Sequence, residues 1–144
     1  MPDLPIEFVT EDVDFTLADE DKIKEWIVQI ITDHKFKLEN ITYIFCSDEY
    51  LHQINVSYLN HDTLTDIITF DNSDNKEQVE SDIFISIDRV KENASHFNIS
   101  LQDELHRVII HGVLHLLGYD DKDEKSKALM QQKENECLSL RDFS

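Results

Sequence analysis

Residues 106–121 read HRVIIHGVLHLLGYDD and hold both glycines of this 144-residue chain together with three of its seven histidines. Leu105, Val108, Ile109 and Leu116 recur at helical spacing, which predicts a helix that begins after Ser100 and ends at Gly118. Ser100 is a good N-cap, and Asp103 and Glu104 place negative charge in the first turn, where the helix dipole favours it. Gly112 falls inside this helix, where glycine costs roughly 0.5–1 kcal/mol relative to alanine; either packing against a helix or strand or a close approach by substrate or backbone is the reason to expect there.

Working outward, IEFVT (6–10) has strand composition, and DEDKIKEWIVQIITDHKF (19–36) sets Ile23, Trp26, Ile27, Ile30 and Ile31 on one helical face. KLENITYIFCS (37–47) alternates as a strand does, and Ser47, Asp48 and Glu49 open a short helix through Leu59. TDIITFD (65–71) and SDIFISID (81–88) are β-rich runs on either side of a polar loop, NSDNKEQVE (72–80), and predict a hairpin or two neighbouring strands. RVKENASHFN (89–98) reads as a helix, and a last helix falls within 123–143. Strands come early and helices late, so the expectation is a single α+β domain over residues 1–144: one small mixed sheet covered by about five helices, with a metal site at the end of a helix.

A net charge of −18 repels phosphate backbones and anionic membranes on average. Cys46 and Cys137 have no paired spacing, which predicts reduced, buried thiols. No apolar run approaches the roughly 20 residues of a membrane span and no signal peptide opens the chain, so a soluble, cytoplasmic protein is expected.

His111 and His115 are four apart and share a helix face, the geometry that two zinc-binding imidazoles need. Alone the pair is weak, since seven histidines in this length produce one by chance roughly 0.3 times. Three residues on, Gly118 can turn the chain, and three further on Asp121 can return a carboxylate to the same ion. This is the order of the metzincin motif. Two nitrogens and one oxygen leave a tetrahedral zinc with one open position, the catalytic arrangement. A peptidase, however, carries glutamate directly after the first histidine, and that position is Gly112.

HGVLHLLGYDD (111–121) resembles HGxLHLxGYDH, the signature of the YbeY family of metal-dependent endoribonucleases. NVSYLNHDTLTDIITF (55–70) resembles its NxxYRxxDxPTDVLSF segment, and SDIFIS (81–86) its GDIxIS strand. The resemblance implies a single-domain α+β protein that binds one zinc ion through His111, His115 and Asp121 and acts on single-stranded or ribosomal RNA. It implies small-subunit rRNA 3′-end processing, with the ribosome or its assembly factors as partners. Thr65 and Asp66 become candidates for shaping the site. Asp66 is also a candidate catalytic proton acceptor, set against the ordinary role of such an aspartate as a cap or hydrogen-bond acceptor.

Three residues depart from the family pattern: Asp121 replaces a histidine, Leu59 an arginine suited to clamping phosphate, and Leu64 a proline. Carboxylate oxygen is a normal zinc ligand, so the site survives the first change. The expected chemistry is hydrolytic, with a zinc-activated water or the ribose 2′-hydroxyl as nucleophile. Lys35, Lys37, Arg89, Lys91, Arg107, Lys122, Lys125 and Lys127 are the cations that could meet RNA. A non-catalytic metal-binding assembly factor and another metal hydrolase, peptidase included, are the alternatives. His106 is off the face of His111 and is read as a surface or core histidine.

Overall fold

Ile41, Tyr43 and Phe45 alternate along one strand and all three are buried, which makes that strand the spine of the sheet. The structure is a computed structural model and describes residues 4–59, 65–75 and 77–141. Its elements in chain order are β1 (Ile6–Thr10), α1 (Glu20–Asp33), β2 (Lys37–Cys46), α2 (Asp48–Leu59), β3 (Ile67–Asp71), β4 (Gln78–Ser86), α3 (Ile87–Phe97), α4 (Leu101–Leu116) and α5 (Glu124–Ser139). The sheet order is β1-β2-β4-β3. β1 and β4 flank the spine in parallel, setting Ile6 beside Ile41 and Ile83 beside Tyr43, while β3 closes the edge as an antiparallel hairpin with β4. The expected α+β fold, with five helices and one mixed sheet, is what these residues form.

The two faces of the sheet divide the helices. Ile23, Trp26, Ile27, Ile30 and Ile31 of α1 and the apolar stripe of α4 share the main core with Tyr43, Phe45, Ile83 and Ile85. On the other face Cys46, Leu51 and Ile68 form a smaller cluster with Phe70 and Phe84, covered by α2. Ser100 caps α4 as expected, its hydroxyl accepting from the Asp103 amide at 3.0 Å.

Two boundaries move. Residues 78–80 of the expected loop belong to β4, because Gln78 and Val79 pair with Lys37 and Leu38 and Val79 is buried. α3 starts at Ile87 rather than Arg89, because the Ser86 hydroxyl accepts from the Arg89 amide and sets the cap there. Leu59 ends α2; its side chain and Leu64 lie outside the described residues. Both cysteines are buried, and burial pushes the Cys46 thiol to about 12 and the Cys137 thiol to about 11, so neither supplies a thiolate near neutrality.

His106 is a core histidine, 2% exposed, beside Trp26 and with Arg141 Nη1 donating to its Nδ1 at 2.7 Å. Burial foremost, then the Arg141 charge, lowers its pKa to about 4, against smaller opposing effects of Asp103 and Asp19. In the unfolded chain it titrates near 6.5. Between those values the unfolded state binds a proton that the fold refuses, so the contribution is complete above about pH 6.5 and is lost as pH falls toward 4. Urea unfolding at pH 7.5 and 4.5 should show a loss smaller by about 2–3 kcal/mol in His106→Gln than in the parent. Equal losses would refute the assignment.

Candidate metal centre

Arg107, His111 and His115 follow one another at four-residue steps on α4 and so share one face. Past Leu116 the helix closes with two backbone bonds, Gly118 N–H to His115 O at 3.1 Å and Tyr119 N–H to Leu114 O at 3.0 Å. These are the two bonds of a Schellman turn, with Gly118 at φ 105° in the position that favours glycine. Tyr119 then meets His34 of the α1 C-cap, ring edge to face with Nε2 and the hydroxyl 3.2 Å apart, which anchors the returning chain. Asp121 is thereby carried back over the helix end.

His111, His115 and Asp121 each offer one ligand atom, and these atoms lie within 4.8 Å of one another. The two Nε2 atoms are 3.1 Å apart, and the Asp121 oxygens are 3.7 Å from His111 Nε2 and 3.8 Å from His115 Nε2. A tetrahedral zinc with bonds of about 2.0–2.1 Å needs donor separations of roughly 3.3–3.4 Å, which the observed set brackets. Nitrogen, nitrogen and carboxylate oxygen are also donors such an ion accepts. Burial first, then the neighbouring His111, lowers the pKa of His115 and favours the neutral ring that coordinates. The Asp120 carboxylate accepts from the Lys122 amide at 3.3 Å, and Asp121 is the acid whose oxygen joins the two histidines in one group.

Beneath this group lies an ion cluster that the sequence did not announce. His111 Nδ1 is 2.6 Å from Glu134 Oε2 on α5, and Glu134 is 2% exposed. Arg107 bridges Glu134 and the fully buried Glu104, with contacts of 3.2 Å to the first and 2.6 and 2.9 Å to the second. Arg107 is therefore paired inside the fold, and Arg89 likewise pairs with Asp48 at 2.8 Å. The available signal was an acid inside a core stripe: Met130, Glu134 and Cys137 are the buried positions of α5.

Asp66 stands outside the histidine group. Its carboxylate accepts a 3.5 Å bond from Asn93 and its carbonyl accepts from the Ser86 amide, while the Thr65 hydroxyl bonds to Ile67 O. These contacts hold the start of β3, whose Ile67 packs under α4. Gly112 faces that strand: a Cβ there would sit 2.9 Å from Ile67 Cδ1, 3.3 Å from Ile83 Cδ1 and 3.4 Å from Thr69 Oγ1. Close helix-to-sheet packing, rather than room for substrate, accounts for this glycine.

Gly118 has nothing within 4 Å of where a Cβ would be, so the cost of a side chain there is in the backbone alone. Gly118→Ala should lose about 1–2 kcal/mol and lower Tm by several degrees in a thermal melt. An unchanged Tm would show that this turn does not demand glycine.

The endoribonuclease YbeY family matches residues 6–141 of the chain. A protein called endoribonuclease YbeY from Cytophaga hutchinsonii is 50% identical over 143 residues, covering 99% of this chain and all of that one. The protein of the same name from Bacteroides thetaiotaomicron is 41% identical over 96% of this chain and all of its own length. Among solved structures, the solution structure of TM1509 from Thermotoga maritima superposes with a TM-score of 0.66 at 26% identity, covering 93% of this chain and 87% of that one.

Proposed function

Because the chain belongs to the endoribonuclease YbeY family, we propose that it cuts single-stranded RNA with one zinc ion held by His111, His115 and Asp121, and that it serves small-subunit ribosomal RNA 3′-end maturation. It is an endoribonuclease, a hydrolase of phosphodiester bonds. The observation that carries the choice of metal site is the convergence of the three donor atoms within 4.8 Å at the end of α4. Such an ion supplies Lewis-acid polarisation of a phosphoryl oxygen and acidification of water.

The chain's own residues do the rest. The two imidazoles direct ring nitrogens at one point, and Asp121 adds an anionic oxygen on the solvent side, its side chain 45% exposed. Asp66 is the candidate proton acceptor, held at the start of β3 by Asn93. No helix among the described residues is long and apolar enough to cross a membrane. Residues 1–144 acting as one metal-hydrolase domain in the cytoplasm, with the ribosome or its assembly factors as partners, belong to the same proposal.

Metal analysis of purified wild type beside Asp121→Ala, paired with incubation of the zinc-loaded protein with single-stranded RNA, tests this reading. About one zinc per chain in the wild type, less in the variant, and RNA cut by the loaded protein are expected. RNA left intact by zinc-loaded protein would overturn it.

A further inference from the structure

Both oxygens of Glu134 are engaged, one by His111 Nδ1 and one by Arg107 Nη1, in a residue that is 2% exposed. We infer that Glu134 is a positioning residue that holds the His111 ring in its Nδ1–H tautomer and, through Arg107 and Glu104, couples the docking of α5 to occupation of the metal site. The inference rests on the zinc-site reading and extends it to the C-terminal helix.

A neutral imidazole has one N–H and one lone pair. If the N–H goes to Glu134, the Nε2 lone pair faces the point that His115 and Asp121 also face; the other tautomer would aim a proton at the ion. A carboxylate behind a ligating histidine has this orienting effect and raises the basicity of the ring. Glu134 is in turn held in one pose, because Arg107 is itself locked by two contacts to Glu104, which is 0% exposed. One guanidinium thus contacts two buried carboxyl groups and fixes the one that meets His111.

The same residue is one of only three buried on α5, with Met130 and Cys137. Beside them Leu138 packs against the core, and Trp26 Nε1 donates to Cys137 O at 2.8 Å. To these apolar contacts the helix adds the two polar contacts of Glu134, to His111 and to Arg107. Whatever strengthens the His111–Glu134 bond therefore holds α5 down, and by reciprocity a docked α5 raises the affinity for the ion.

Three measurements test this. Ring-nitrogen NMR shifts of His111 in metal-free wild type should report the Nδ1–H tautomer; the Nε2–H form would overturn the assignment. Chelator competition for zinc should show Glu134→Gln binding about 10- to 100-fold more weakly than wild type. Equal affinity would overturn the positioning role. Hydrogen exchange of the α5 amides in wild type should slow on zinc loading, whereas unchanged exchange would remove the coupling. The first and third need no variant, so a poorly folding Glu134→Gln does not shield the inference. Wild type that binds no zinc defeats the zinc-site reading itself; wild-type affinity in Glu134→Gln defeats only the role given to Glu134.

Discussion

Replacing His115 with alanine should remove zinc and RNA cleavage together while leaving the metal-free fold intact. The ring is one third exposed at the end of α4, so truncation opens no core cavity and metal-free stability should change by no more than about 1 kcal/mol. Losing one of two nitrogen donors leaves His111 and Asp121, too few to hold a catalytic zinc, which needs three protein ligands. Cleavage of single-stranded RNA should then fall by about a thousandfold, equivalent to roughly 4 kcal/mol of barrier. Cleavage assays of zinc-incubated wild type and variant, with circular dichroism of both, measure the two effects. A variant that cuts at the parental rate would show that the ion, if bound, does not act in the reaction.

Writing the peptidase glutamate into the motif, Gly112→Glu, should abolish folding rather than create a protease. An added Cβ already presses on Ile67 at 2.9 Å and on Ile83 at 3.3 Å, and the carboxylate would follow it into the apolar contact between α4 and β3–β4. Overpacking and an unpaired buried charge together should cost about 4 kcal/mol or more, a large part of the 5–15 kcal/mol that holds a domain together. Gly112→Ala is the milder control. Its methyl meets the far ends of two side chains, Ile67 and Ile83, and alanine's helix propensity offsets part of the pressure, so a change of about 1 kcal/mol or less is expected. Urea unfolding of both variants and a casein digestion of Gly112→Glu give the result; a folded, proteolytic variant would reverse the reading of this glycine.

The contrast between the two glycines marks how far the sequence could be read. Gly118 was legible because a helix end followed by a third donor is a local pattern, and the Schellman turn lies within six residues. Gly112 was legible only as a choice between packing and substrate access, because what decides it, Ile67 and Ile83, lies well away along the chain. The elements themselves followed from periodicity, as with the five buried residues of α1. The parallel placement of β2 between β1 and β4 did not, since strand order depends on which crossovers bury apolar faces and no short window records it. The early start of β4 at Gln78 arose for the same reason: a polar stretch becomes strand when Lys37 and Leu38 of β2 offer it partners. Among the site residues His111, His115 and Asp121 were picked out by spacing. Glu134 was missed because a glutamate in a charged helix looks like surface until its stripe, Met130 and Cys137, is known to face inward.

The buried ions also set where α5 sits along its own axis. Met130, Cys137 and Leu138 supply the apolar contacts of α5, and apolar burial carries no direction of its own. A slide of one turn, about 5.4 Å, would part Glu134 from Arg107 and His111 and leave its carboxyl group buried with neither partner, while Arg107 and Glu104 stayed paired on α4. The penalty falls on every misplaced position and spares only one. Glu134 therefore works as a key cut for a single seating, the one buried acid of a helix whose other buried positions are Met130 and Cys137.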